Sequence, residues 1–159
     1  MSEIPEIPNI DAINWARQYG DEIIIRVYGE HYKGASVLIA QAYLKGWTYP
    51  ELVKAIESNY SCPPDIAKTI ASTEMTRAHT NAELMMEQRY FEMFGEHLVP
   101  IWKTCNDEHV CDFCRPRREQ PITDDIYPPA HPGCRCMLSY ISEGYLTPEQ
   151  QEKWNNRPR

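Results

Sequence analysis

The sequence predicts a mainly helical α+β fold: a helical N-terminal two-thirds whose long central helix packs on a small β-hairpin. Three observations predict it. Residues 10–95 carry apolar side chains three and four apart between recognisable caps. After Gly95 the texture turns β-rich, in "HLVPIWKTC" and "CRCMLSYIS". Between and within those stretches, four of the chain's six cysteines sit in two short knots, "CDFC" and "HPGCRC".

Residues 1–9 read as a tail, 10–95 as the helical part, 96–141 as the hairpin part of one domain, and 142–159 as a C-terminal tail with a short helix. Asn9 is placed to cap a first helix, with Ile13, Ala16, Gly20, Ile24 and Val27 at helical spacing. Ser36 is expected to cap a second, which Gly46 stops. "TYPE" is a capping box, Thr48 with Glu51, opening a third helix that buries Leu52, Val53 and Ile56.

The longest helix is expected over 65–94, closed by Gly95. Its apolar stripe runs Ala71, Met75, Ala78, Ala82 and Met85, then drifts to Met86, Tyr90 and Met93, and its small residues allow close approach by another helix. The two β-rich stretches read as antiparallel strands, with Pro100 placing part of the first at a sheet edge. The connection over 106–133 holds five prolines and needs a constraint to be ordered. "YLTPEQQEKW" starts the terminal helix.

Composition narrows the class. Hydrophobic content of 42% with four Trp and ten Tyr belongs to a globular chain. No apolar run approaches membrane-helix length, and "MSEIPEIPNI" lacks the basic start of a signal peptide, so a reducing compartment without disulfides is expected. Net charge is −7, which opposes broad contact with nucleic acid. Arg115, Arg117 and Arg118 form the one basic cluster, read either as a solvated loop or as a local contact with nucleic acid or an acidic partner.

The knots point to a metal. Cys111 and Cys114 place two thiolates on one tight turn, and nineteen residues separate Cys114 from Cys134, a spacing suited to a second zinc knuckle. His131, Cys134 and Cys136 make up the second knot, where the period of an extended chain puts both sulfurs on one face. Five candidate ligands converge where tetrahedral zinc takes four, which favours a structural ion over a catalytic one with an open position. A redox C-x-x-C is expected near a βαβ pattern that this sequence lacks. Such a clip restrains the Pro-rich excursion by closing its ends. Cys62 and Cys105 match no partner spacing and read as ordinary buried thiols.

"IASTEMTRAHTNAE", "WKTCNDEHVCDFCRPR" and "PPAHPGCRC", in that order, resemble the phage head-morphogenesis family of minor head proteins like protein F of phage Mu. The similarity spans residues 35–141. Thr73, Glu74, Arg77, Ala78 and Asn81 match its T-E-x-x-R-A-x-x-N helix pattern. The resemblance implies a non-enzymatic virion protein, located in the head interior or at the portal and in the host cytoplasm during assembly, that contacts portal or capsid proteins. It also implies that C-R-C acts as a unit, so Cys134 and Cys136 are preferred as ligands, with His131 as alternative or supporting group. Glu74, Arg77 and Asn81 share one helix side, either as a solvated flank or as the surface on which the cysteine hairpin packs.

Other functions stay open at this point: a zinc-stapled nuclease using His131 or His109, a toxin-delivery module, or a zinc-ribbon nucleic-acid binder using the arginines. No Asp-His or paired-His constellation flanks the knots, which disfavours the enzyme. For a docking protein the expected contact surface is residues 10–60, with Trp15, Tyr19, Tyr28, Tyr32 and Trp47, binding portal or sister copies.

Overall fold

The structure is a computed structural model that describes residues 29–105 and 110–158. The helix expected from Asn9, with Trp15, Tyr19 and Tyr28, lies outside the described residues, as does His109. The fold is α+β and mainly helical, as the sequence predicts. A 3-10 turn at Glu30–Tyr32 leads into α1 (Ala35–Lys45), α2 (Tyr49–Tyr60) and α3 (Pro64–Phe94). Strand β1 (Val99–Lys103) follows, then a 3-10 turn at Arg115–Arg117, β2 (Gln120–Pro121) and β3 (Met137–Ile141). A last 3-10 turn at Glu143–Tyr145 precedes α4 (Pro148–Asn155).

Helix α1 begins at a glycine, not at Ser36. Gly34 is its N-cap, at φ +90, and supplies a left-handed turn out of the preceding 3-10 segment. Ser36 lies inside the helix and is buried. The expected box on α2 is present: Thr48 N–H donates to Glu51 Oε2 at 2.6 Å, and Glu51 N–H to Thr48 Oγ1 at 3.4 Å. Gly46 and Gly95 both close their helices in the left-handed conformation. Leu52, Val53 and Ile56 pack with Ile39, Ile70 and the alanines at 67, 71, 78 and 82 in one helical core. Tyr32 is buried there and Trp47 packs against it, so these two complete the core instead of forming a surface patch. Val37, Leu44 and Tyr49 are the exposed large apolar residues of α1 and α2.

The apolar stripe of α3 does not stay buried. Ala71, Ala78 and Ala82 are covered, but Met85, Met86 and Met93 are exposed. Length explains it. At 1.5 Å per residue α3 is about 46 Å long, whereas α1 and α2 each reach only about 17 Å, so the helix outruns its helical partners.

The expected two-stranded hairpin is a three-stranded antiparallel sheet in the order β2-β1-β3. β1 pairs with β3 from Val99↔Ile141 to Lys103↔Met137, and with β2 at Ile101↔Pro121 and Trp102↔Gln120. Pro100 therefore sits in the central strand, not at an edge. It is tolerated because its carbonyl, and hence its N–H-less nitrogen, faces the β2 side, where Ile122 N–H donates to the Pro100 carbonyl at 2.9 Å just past the two-residue strand. A second core of Trp102, Ile122, Leu138 and three cysteines lies around this sheet. The terminal helix α4 is anchored on β2, with Gln150 Nε2 donating to the Glu119 carbonyl at 2.6 Å and a Thr147–Gln150 capping box at its start. No helix among the described residues is long and apolar enough to cross a membrane.

Candidate metal centre

The cysteine segment is docked onto α3 by two threonine hydroxyls. Gly133 N–H donates to Thr73 Oγ1 at 2.8 Å, and Thr76 Oγ1 donates to the Cys134 carbonyl at 3.0 Å. Both threonines are buried. Thr76 has no distinguishing signal in the sequence; only the i, i+3 pairing with Thr73 on one helix side hints at it. The neighbouring row is not a solvated flank: Glu74 is 1% exposed and forms an ion pair with Arg77 at 3.8 Å. Burial lowers the Arg77 pKa, and the Glu74 carboxylate works against that shift. Asn81 Nδ2 donates to the Arg77 carbonyl at 2.9 Å.

The docking hydroxyls give a direct test. Thr73→Val keeps the side-chain shape but leaves the Gly133 N–H without its acceptor, so a loss of about 1–3 kcal/mol is expected in urea unfolding. Thr69→Val, one turn earlier on the same face, removes only a hydroxyl that donates to the Asp65 carbonyl within the helix and should cost well under half of that.

Within the loop, the first knot is a turn: Cys114 N–H donates to Cys111 Sγ at 3.4 Å and Arg115 N–H to the Cys111 carbonyl at 3.0 Å. In the second knot Cys134 N–H donates to the His131 carbonyl at 3.1 Å, with Gly133 at φ +77 making the turn. From there the chain alternates, with Cys134 and Cys136 buried and Arg135 exposed between them. His131 Nδ1 lies 2.9 Å from the Pro132 carbonyl, an arrangement that holds the proton on Nδ1 and turns Nε2 toward the thiols. Nε2 is 3.1 Å from Cys111 Sγ and 3.5 Å from Cys114 Sγ.

Two triads result: Cys111, Cys114 and His131, and Cys114, Cys134 and Cys136, each with its ligand atoms within 4.8 Å of one another. Cys114 belongs to both. Each set could hold a metal ion, and the fit is close. Ligand bonds of about 2.3 Å to sulfur and 2.0 Å to nitrogen put tetrahedral S and N ligands roughly 3.6 Å apart, near the two distances from His131 Nε2. The cavity between them is ≈ 30 Å³, room for a single ion, and its lining includes Cys111, Cys114, His131 and Cys136.

Electrostatics of the donor set agree. Contact with the Cys136 thiol, aided by backbone N–H groups and His131, pulls Cys134 down to about 5. Hydrogen bonds from the Cys114 turn also lower Cys111. Burial pushes Cys114 up to about 12, and the Cys134 contact together with burial raises Cys136. Four crowded thiols cannot all ionise alone; a divalent cation removes that conflict, because thiolate is the ligating form. The buried Trp102 indole N–H has no partner at bonding distance but favours the Cys136 thiolate.

Cys105 does not stand apart as an ordinary thiol. It lines the same cavity, and its Sγ donates to the Arg135 carbonyl at 3.6 Å. Spacing alone hides it, since five residues separate it from the first knot with no second cysteine nearby. Cys62, by contrast, packs against the helical core. The arginine cluster is tied into the loop. Arg115 pairs with Asp112 at 3.2 Å, and Arg117 pairs with Asp124 at 2.6 Å while lying over the rings of Phe113 and Trp102. The Arg117 guanidinium holds the Asp124 carboxyl below the usual carboxylate range. Arg118 is exposed at the end of that turn.

No curated protein and no solved structure matches the chain. A family model described as Phage Mu protein F like protein matches residues 36–139, from the first turn of α1 through both knots and into β3. The chain thus belongs to the Phage Mu protein F like family, a family of phage head proteins.

Proposed function

We propose that this protein is a minor head protein of a phage, acting in head morphogenesis through contacts with the portal or the capsid interior, and that its cysteine knots bind one structural zinc. The family match over residues 36–139 carries the reading, because it takes in the helix motif, the sheet and both knots together. The metal serves the fold. It fastens the Pro-rich loop to the sheet while Thr73 and Thr76 fasten the same loop to α3. Cys111, Cys114 and His131 are the ligands that the distances favour, with Cys134 or Cys136 as the fourth, so His131 moves from supporting group to ligand. The pairing of Arg115 and Arg117 with aspartates argues against an open basic nucleic-acid surface.

Purified phage heads should contain the protein at a fixed ratio to the portal, and the reduced, purified chain should carry about one zinc. Absence from heads overturns the head-protein reading. Less than about 0.2 zinc per chain, with melting unaffected by chelator, overturns the metal assignment.

A further inference from the structure

Beyond Ala82, α3 continues past the two helices that cover its first half. Met85 and Met86 are 40% and 38% exposed, Met93 74% and Phe94 61%. Met86, Tyr90 and Phe94 fall one turn apart and Met93 lies beside them, so the side chains form one continuous face at the i, i+4, i+7, i+8 spacing of a helix-docking surface. The Tyr90 and Phe94 rings touch, with centroids 4.7 Å apart. Methionines suit such a face because their unbranched chains refit to different partners. The side of α3 facing the sheet is already engaged: Glu87 Oε1 accepts Leu98 N–H at 3.2 Å, and Phe91 stacks on His97 at 3.9 Å.

Charge selects the occupant. Residues 83–96 hold Glu83, Glu87, Glu92 and Glu96 against Arg89 as the single Lys or Arg, a balance of −3. Glu83 and Glu87 face histidines, His79 at 3.9 Å and His97 at 2.8 Å, not permanent cations. The last turn of α3 carries no basic residue, so the negative end of the helix dipole adds to the same field. A second copy of this chain would bring another −3 onto the face. We propose that the distal face of α3 is a docking site for a basic amphipathic helix of another protein, with apolar side chains seated on Met86, Tyr90, Met93 and Phe94 and its lysines or arginines drawn by the net negative field of this segment. This surface lies apart from the candidate metal centre and beyond the reach of α1 and α2, and the inference does not depend on a role in head assembly.

The test uses the full chain and three fluorescein-labelled peptides of about 18 residues: an amphipathic Leu/Lys helix, its Leu/Glu counterpart, and a scrambled Leu/Lys peptide without the apolar stripe. The Leu/Lys helix should bind, weakening several-fold between about 50 and 300 mM salt, and the Leu/Glu helix should not bind. Met86→Gln with Met93→Gln, at exposed positions, should leave the melting temperature unchanged and weaken binding roughly tenfold or more. Glu92→Gln with Glu96→Gln should flatten the salt dependence. Equal affinity in the methionine variant, or equal binding of the scrambled peptide, overturns the proposal. So does a concentration-dependent dimer in sedimentation that the methionine variant abolishes, since the occupant is then a second copy.

Discussion

Cys114→Ser should unfold the sheet half of the molecule, while Cys62→Ser should barely be felt. Cys114 is 1% exposed and is the one sulfur common to both ligand triads, so its loss leaves neither set complete. In a structural metal site the binding energy is folding energy. Losing one ligand should therefore cost more than about 3 kcal/mol, seen as loss of the near-ultraviolet signal of Trp102, with most helical signal retained. Cys62 packs at the margin of the helical core, where replacement should cost on the order of 1 kcal/mol, a few degrees in melting temperature for a chain of this size. Chelator should bring the wild type to the behaviour of Cys114→Ser and leave that variant unmoved. If the two variants melt together, the cluster contributes no metal-dependent stability.

Trp102→Ala should be the most damaging substitution outside the knots, at about 3–5 kcal/mol in urea unfolding. Trp102 is fully buried at the middle of the central strand, packed among Leu138, Ile122 and the cysteines, and its edge meets Phe113 while Arg117 lies over its face. Few neighbours can collapse into the space it leaves, because both flanking strands and the cysteine loop are fixed at other points. Trp102→Phe keeps most of the apolar contact and should cost about half as much or less. A Trp102→Ala variant that unfolds at the wild-type urea concentration would show that this second core is not a stabilising unit.

Much of this architecture is legible in the sequence, and the parts that are not share a physical cause. Caps with a side-chain mechanism were readable: the Thr48–Glu51 box and the stops at Gly46 and Gly95 appear where expected. The knots were readable because ligand spacing is a local property, and their residues come together in the two triads. Ser36 misled because Ser is the stronger capping type by statistics, yet Gly34 could take the left-handed turn that the chain's entry demands. Strand β2 was invisible: two residues, one a proline, carry no period. Periodicity also showed which face of α3 is apolar without showing how far α1 and α2 extend along it. Thr73, Thr76 and Cys105 act through neighbours that are distant in sequence, at separations of 60, 58 and 30 residues, which no local pattern encodes.

Pro100 has a consequence for where the sheet can grow. Open sheet edges recruit further strands through unpaired N–H and C=O groups, and this is a common route to aggregation. β2 covers only Ile101 and Trp102 on one side of β1, which leaves the start of that strand as the natural place for such recruitment. There the chain offers a residue without an N–H, whose carbonyl is already occupied by Ile122. An incoming strand finds neither donor nor free acceptor at that step of the ladder. Growth of the sheet is thereby blocked at that step by the backbone itself, with no charge or lid spent on it.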